Sequence, residues 1–472
     1  MRESHIAILG AGPTGLGAAW RLEELGHTDW ALYDAERHAG GLATSEVDAQ
    51  GFTWDMGGHV LFSHYRYFDA LMDTALGDAW VEHVREAWVW MRQRWIPYPM
   101  QNNVWRLPEA ELLSCLDGFL SLHIGTDSVL HKPRSFEEWL LASFGRGLCD
   151  AFMFPYNFKV WAYPPRELDV CWMGERVALP DLRRIIRNVV LRKDDVGWGP
   201  NATFKFPLRG GTGAIWREVS GKLPSERMHF GRKVVSVNTG KRVLTFSDGV
   251  RESYDTLISS VPLDHLLAML EDSPALSELG KHFVHSSTHV VGIGMTGSPP
   301  PDLRTKCWMY FPEPETPFYR TTVFSNYSPN NVARPGEQWS LMAEISESHE
   351  KMVDASTIVE QTVEGFRHCG FIDDTRAIVT RYHRRLEYGY PTPWLGRDDV
   401  LGTVNDELEA RGILSRGRFG AWKYEVSNQD HSAMQGVEAA GRIVEGSTEY
   451  TYHGDMKDWL LPGAPLKQPA TA

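Results

Sequence analysis

No two cysteines in this chain are spaced as CxxC. The five present, Cys115, Cys149, Cys171, Cys307 and Cys369, are scattered and odd in number. That excludes a disulfide framework and a structural zinc site, predicts no metal, and fits a reducing cytoplasm. No apolar run approaches the roughly 18–20 residues that span a bilayer. The opening residues Met1-Arg2-Glu3-Ser4-His5-Ile6 lead straight into a short strand without the apolar core of a signal peptide. Positive charge is scarce as well. Lys and Arg number 48 against 61 Asp and Glu, a net charge of −13, the wrong sign for a nucleic-acid surface. No internal repeat is present. These absences describe a soluble cytoplasmic protein with neither membrane nor nucleic-acid partner. A few arginines converging in a cleft could still hold an anionic substrate.

What the chain has is length and rings. Its 472 residues suggest two to four structural units, and an aromatic share of 11% suits stacking against flat ligands. Residues 5–9 read as a buried parallel strand, 14–25 as a helix and 30–34 as a second strand, which together make one βαβ unit. From about 106 to 196 the pattern turns helical, with Phe136–Leu141 apolar on one face and Arg183–Val190 continuing it. The arginines of that second run read as a solvated face. Beyond 197, short β-like runs dominate: Val234–Val237, Val243–Phe246, Thr256–Ser260, Thr288–Met295, Trp339–Ile345 and Arg376–Tyr382. A glycine-punctuated stretch and an amphipathic helix fill 415–450.

Gly10-Ala11-Gly12-Pro13-Thr14-Gly15 stands between the first strand and the helix. The first glycine permits the tight turn, the second lets backbone approach a pyrophosphate, and the third lets helix and strand pack closely. The helix N-terminus offers its N–H groups to the phosphates. Asp34 closes the second strand, where it can accept a ribose hydroxyl. Gly40-Gly41-Leu42-Ala43 and Gly57-Gly58-His59 add further glycine turns, which favour FAD over NAD.

Longer strings carry a more specific likeness: Gly57–Tyr65, Pro155–Trp161, Gly174–Val177, Gly199–Phe204, Pro317–Arg320, Phe324–Tyr327, Gly389–Pro393, Arg416–Glu425 and Asn428–Ser432. Through them the chain resembles the UDP-galactopyranose mutases, the eukaryotic-type branch in particular, from the glycine motif to about residue 450. The resemblance implies an isomerase that interconverts the six- and five-membered ring forms of a UDP-sugar, UDP-galactopyranose to UDP-galactofuranose. In that family reduced FAD attacks the anomeric carbon through N5, as a nucleophile and not an electron carrier, so oxidised enzyme would be inactive.

The resemblance also implies a site. Arg176 and Arg320 would stabilise the departing diphosphate, with Tyr310, Tyr327, Tyr390 and Tyr424 hydrogen-bonding it. Asn201 would reach the nucleotide sugar. Tyr98, Gln101, Phe152, Tyr156, Asn157 and Trp161 would form the uridine pocket. His59 would sit beside the flavin. Gly10, Gly12, Gly15, Asp34, Gly41, Leu42, Gly58, Val235, Arg418, Asn428, Gln429 and Ser432 would hold FAD. The fold expected is mixed α/β. A discontinuous Rossmann-type FAD domain would take 2–83, 208–275 and 415–455, and a helical substrate domain 106–196. An antiparallel sheet domain would take 84–105, 197–207 and 276–414, with 456–472 as a flexible tail.

Phe154 stands where the family's strings carry Arg, and Met100 where Phe precedes the Gln, which points to an altered base or sugar preference. The family's long insertion after Tyr327 and its extended C-terminus are absent. In some relatives these help build a tetramer, so assembly stays open, between monomer and dimer. NADPH or NADH is the expected reductant, with Arg85 matching one family contact and Ala87 replacing a Ser. Two rivals stand beside this reading: a mutase for another nucleotide sugar, such as UDP-arabinopyranose or UDP-N-acetylgalactosamine, and an amine-oxidase-like redox enzyme. A non-catalytic binder of nucleotide sugars is a third class.

Overall fold

The computed structural model describes residues 5–124, 132–173, 179–196 and 202–453; the expected tail lies outside them. Its first layer is a five-stranded parallel sheet ordered Ile413–Ser415, Thr256–Ser259, Ile6–Leu9, Trp30–Asp34 and Met228–Phe230. Three of these strands are apolar runs buried on both faces, as parallel strands covered by helices must be. The helix Pro13–Glu24 follows the first strand and packs along Gln429–Glu445 near the far end of the chain. Glycine makes this contact possible: a Cβ on Gly436 would lie 1.9 Å from the carbonyl of Thr14. Further along the same helix, Glu438 is 5% exposed and accepts from both the amide and the hydroxyl of Thr451, each at 2.8 Å.

A seven-stranded sheet forms the second layer, in the order Ile378–Pro391, His285–Thr296, Gln338–Glu347, Arg320–Val323, Trp308–Tyr310, Ala87–Met91, Arg94–Pro97. It departs from the expected antiparallel pattern at one place. Trp308–Tyr310 runs parallel to Ala87–Met91, because the chain between them is long and imposes no hairpin. Helices Glu109–Ile124, Phe136–Leu148, Phe154–Trp161 and Leu182–Leu191 share a core with this sheet. Their aromatic residues join Phe52, Trp54 and Tyr327 in one core. A cleft of about 1280 Å³ opens between the layers. Among the described residues no helix is long and apolar enough to cross a membrane.

Candidate functional site

The cleft begins where the parallel sheet ends, lined by Gly10, Gly12, Asp34, Gly41, Leu42 and Val235. Gly10 has φ +101°, and a Cβ there would meet Ser260 Oγ at 2.2 Å. Gly15 does not line the cleft. A Cβ on it would stand 1.8 Å from the Gly10 carbonyl, so its smallness closes helix onto strand. No side chain caps the helix at Gly12 or the helix at Asn428, and both residues line the cleft. Two sets of first-turn N–H groups are thus turned to the same space, where they suit an anion. Asp34 accepts from the amides of Ala11 (2.6 Å) and Glu36 (2.7 Å), so its carboxylate tightens the glycine turn beside which a ribose would lie.

Gln429, Ser432 and Arg418 line the middle of the cleft with Gly58 and His59. Arg418 is held by Ser427 Oγ and the Gly389 carbonyl, each at 2.8 Å. Burial lowers the His59 imidazole to about 4; Glu344 opposes this, and Arg418 and Arg320 add to it. The ring is therefore neutral at neutral pH, and its buried Nδ1 has no hydrogen-bond partner among the described residues.

Arg320 stands directly opposite Glu344 across two antiparallel strands. Its Nε lies 2.8 Å from Glu344 Oε1 and its Nη2 2.6 Å from Oε2. Burial disfavours both charges. The pairing outweighs it, leaving the guanidinium above and the carboxyl below their ordinary values. No hydrogen bond from Nη1 is formed among the described residues, so this nitrogen is available to a ligand in the cleft. Around it stand phenols. Burial raises Tyr98, Tyr156, Tyr319 and Tyr390 above the usual tyrosine value, which keeps them as O–H donors.

Beyond these groups, a helix with Pro155 in its first turn presents flat faces. Phe152 and Tyr156, four residues apart, stack at 5.2 Å and 6°. Tyr156 meets Tyr310 edge-on at 5.5 Å, and Tyr310 contacts Tyr98 at 5.0 Å. Trp161 packs against Tyr424 (4.8 Å) and Tyr390 (5.8 Å). Gln101 and Asn157 share the lining; Asn157 donates to the Met153 carbonyl at 2.8 Å. The cleft thus joins a glycine end, an arginine–tyrosine middle and an aromatic end. Its volume exceeds the roughly 300–1,000 Å³ of a pocket for one small ligand.

Several expectations fall elsewhere. Arg176 and Asn201 lie outside the described residues. Tyr327 is fully buried and does not line the cleft; its hydroxyl donates to the Cys307 carbonyl at 3.0 Å, and its ring packs on Phe204, Phe206 and Phe324. In this arrangement its phenol is committed to a backbone carbonyl in the core. Met100 and Phe154 pack with the aromatic core and do not line the cleft either, so any influence on specificity is indirect. Glu344 and Tyr319 were not singled out by residue type or spacing. The one signal was a carboxylate amid the apolar strand Leu341-Met342-Ala343-Glu344-Ile345. The described cysteines are all free. His64, Asp430 and His431 approach within 4.8 Å at the cleft wall, but His64 Nδ1 and Asp430 Oδ2 are hydrogen-bonded at 2.7 Å.

Comparison with known proteins agrees with this geometry. A sequence family described as flavin containing amine oxidoreductase matches residues 13–443. A crystal structure of reduced UDP-galactopyranose mutase superposes with a TM-score of 0.93 at 49% identity, over 96% of each chain. A putrescine oxidase triple mutant shares the fold alone: TM-score 0.65, 16% identity, 94% of this chain and 99% of that one. A protein named "Probable zeta-carotene desaturase" from Synechococcus elongatus is 45% identical over 68 residues, so the chain spans 14% of that relative's length.

Proposed function

From a chain that belongs to the flavin containing amine oxidoreductases, and among them to the UDP-galactopyranose mutases, we propose the reversible conversion of UDP-galactopyranose to UDP-galactofuranose with FAD as cofactor. The observation that carries this reading is one continuous cleft. It leads from two uncapped helix N-termini to a half-buried arginine ringed by phenols and on to stacked aromatics. An amine or an apolar substrate has no diphosphate for such a ring to hold, which disfavours the oxidase reading.

The residues fit FAD. The side-chain-free turn at Gly10 and Gly12 and the N–H groups at Gly12 suit its pyrophosphate, and Asp34 stands where its ribose would lie. Val235 lines the cleft and would contact the adenine, and Arg418, Asn428, Gln429 and Ser432 would hold the rest. Bound and reduced, the flavin supplies the nucleophile for the anomeric carbon.

Arg320 would offer Nη1 to the leaving diphosphate, where charge concentrates as the glycosidic bond breaks. Tyr310, Tyr390 and Tyr424 would donate to its oxygens. Phe152 and Tyr156 would stack the uracil, with Tyr98 and Trp161 closing its pocket, and Gln101 and Asn157 would read its polar edge. Neutral His59 would lie beside the flavin without adding charge. Arg176 and Asn201 take their family roles in this reading. Arg85, whose guanidinium lies 4.6 Å from the Trp308 ring, is the candidate contact for NADPH or NADH as reductant. The free cysteines fit work in a reducing cytoplasm.

The test is turnover of UDP-galactopyranose by dithionite-reduced and by oxidised protein, followed by chromatography of the nucleotide sugars. Furanose product from the reduced form alone is expected. UDP-arabinopyranose and UDP-N-acetylgalactosamine belong in the same assay, since much faster turnover of either would replace the substrate. Peroxide release with an amine, and no furanose, would overturn the reaction class.

A further inference from the structure

Glu344 is 3% exposed, yet its carboxylate reaches the cleft and touches three of its parts. Oε1 accepts from Arg320 Nε at 2.8 Å and from the Gly58 amide at 2.9 Å. Oε2 accepts from Arg320 Nη2 at 2.6 Å and from the Tyr319 hydroxyl at 2.9 Å. A carboxylate offers about four lone-pair sites, and here all are filled. It has none left for a substrate proton, so a general-base role is excluded in this arrangement.

The donors come from three places. Arg320 faces Glu344 through sheet register. Tyr319 Oη lies 3.2 Å from Tyr390 Oη. Gly58 belongs to the turn that carries His59. The turn sits close on the ion pair: a Cβ at residue 58 would lie 3.0 Å from Glu344 Oε1, a tight approach, and 3.5 Å from Arg320 Nε.

We propose that Glu344 is a positioning residue. It orients Arg320, leaving Nη1 for the substrate's diphosphate, and it anchors the His59 turn to the same carboxylate, so that the anion-binding group and the flavin-side histidine are set by one hub. The inference rests on the mutase reading for its substrate; the shared anchoring does not.

A double-mutant cycle tests it: Glu344→Gln in the wild-type and Arg320→Ala backgrounds. The readouts are flavin content, affinity of the oxidised protein for UDP, and kcat and KM of the reduced protein. With flavin retained, Glu344→Gln is expected to weaken UDP binding and raise KM about tenfold, and to cost less than about twofold once Arg320 is gone. Equal losses in both backgrounds would overturn the proposal, because Glu344 would then act independently of Arg320. If Glu344→Gln fails to retain flavin, Tyr319→Phe removes a single donor. A KM raised about two- to fivefold supports the hub, and an unchanged KM refutes it. Should the wild type turn over no UDP-sugar, UDP affinity across the same cycle still decides the positioning role, while the mutase reading alone falls.

Discussion

The two ends of the cleft are built from different materials. The dinucleotide end is mostly main chain: a glycine turn, two helix N-termini and one aspartate, drawn largely from neighbouring residues. The arginine–tyrosine end is almost entirely side chain. Its groups come from residue 58, the 98–101 and 152–161 segments, and strands around 310, 320, 344 and 390. Their buried carboxylates show the same contrast. Glu344 pairs with an arginine and stays charged. Glu438, on the helix that closes the dinucleotide end, is met by Thr451 and the Tyr450 backbone, and burial pushes it up to about 7. Backbone sites tolerate little change in shape; side-chain sites depend on charge and aim.

The largest break should come from shape. Gly15→Ala places a methyl against the Gly10 carbonyl, where neither backbone can yield, and the expected product is colourless protein or none. A yellow, fully loaded variant would show that the turn is more plastic than its contacts imply. Charge comes next. Arg320→Ala should keep the flavin and lower kcat/KM by about 10² to 10³, roughly 3–4 kcal/mol of lost charge stabilisation. Near-normal kinetics would mean that the diphosphate lies elsewhere. The smallest effect sharpens the carboxylate contrast. Glu438 has its folded-state value raised above the ordinary 4.5 of glutamate. The stability it contributes is therefore complete below 4.5 and lost as pH rises through about 7. Glu438→Gln should remove that loss, gaining on wild type in Tm from about pH 5 to about pH 8. Melting curves that stay parallel across this range would rule it out.

The same contrast governs what could be read from residues alone. The βαβ unit was legible because local rules make it: apolar strands at 6–9 and 30–34, a glycine turn, and a helix at 13–24. The run Val243–Phe246 became a strand with those bounds, whereas the strand expected at Arg376–Tyr382 begins at Ile378 and continues to Pro391. There a register shift opposite Ser286 and Thr288 lets the pairing continue past residues with no β signal. At the substrate end periodicity was silent. Tyr98, Tyr310 and Tyr390 line one cleft because distant segments share a sheet, and their likeness to the family was the one guide. That guide could not show how Tyr327 is held, since the buried carbonyl of Cys307 that claims its hydroxyl leaves no mark in local sequence. It passed over Glu344, whose importance comes from standing opposite Arg320.

The parallel sheet is closed by Ile413–Ser415, and the second uncapped helix begins only at Gln429. A ribosome making about 5–20 residues per second therefore exposes the glycine turn long before the elements that complete its pocket exist. Cofactor loading becomes an event after synthesis, and a message cut short before that last strand yields a polypeptide carrying the nucleotide signature with nowhere to keep the nucleotide.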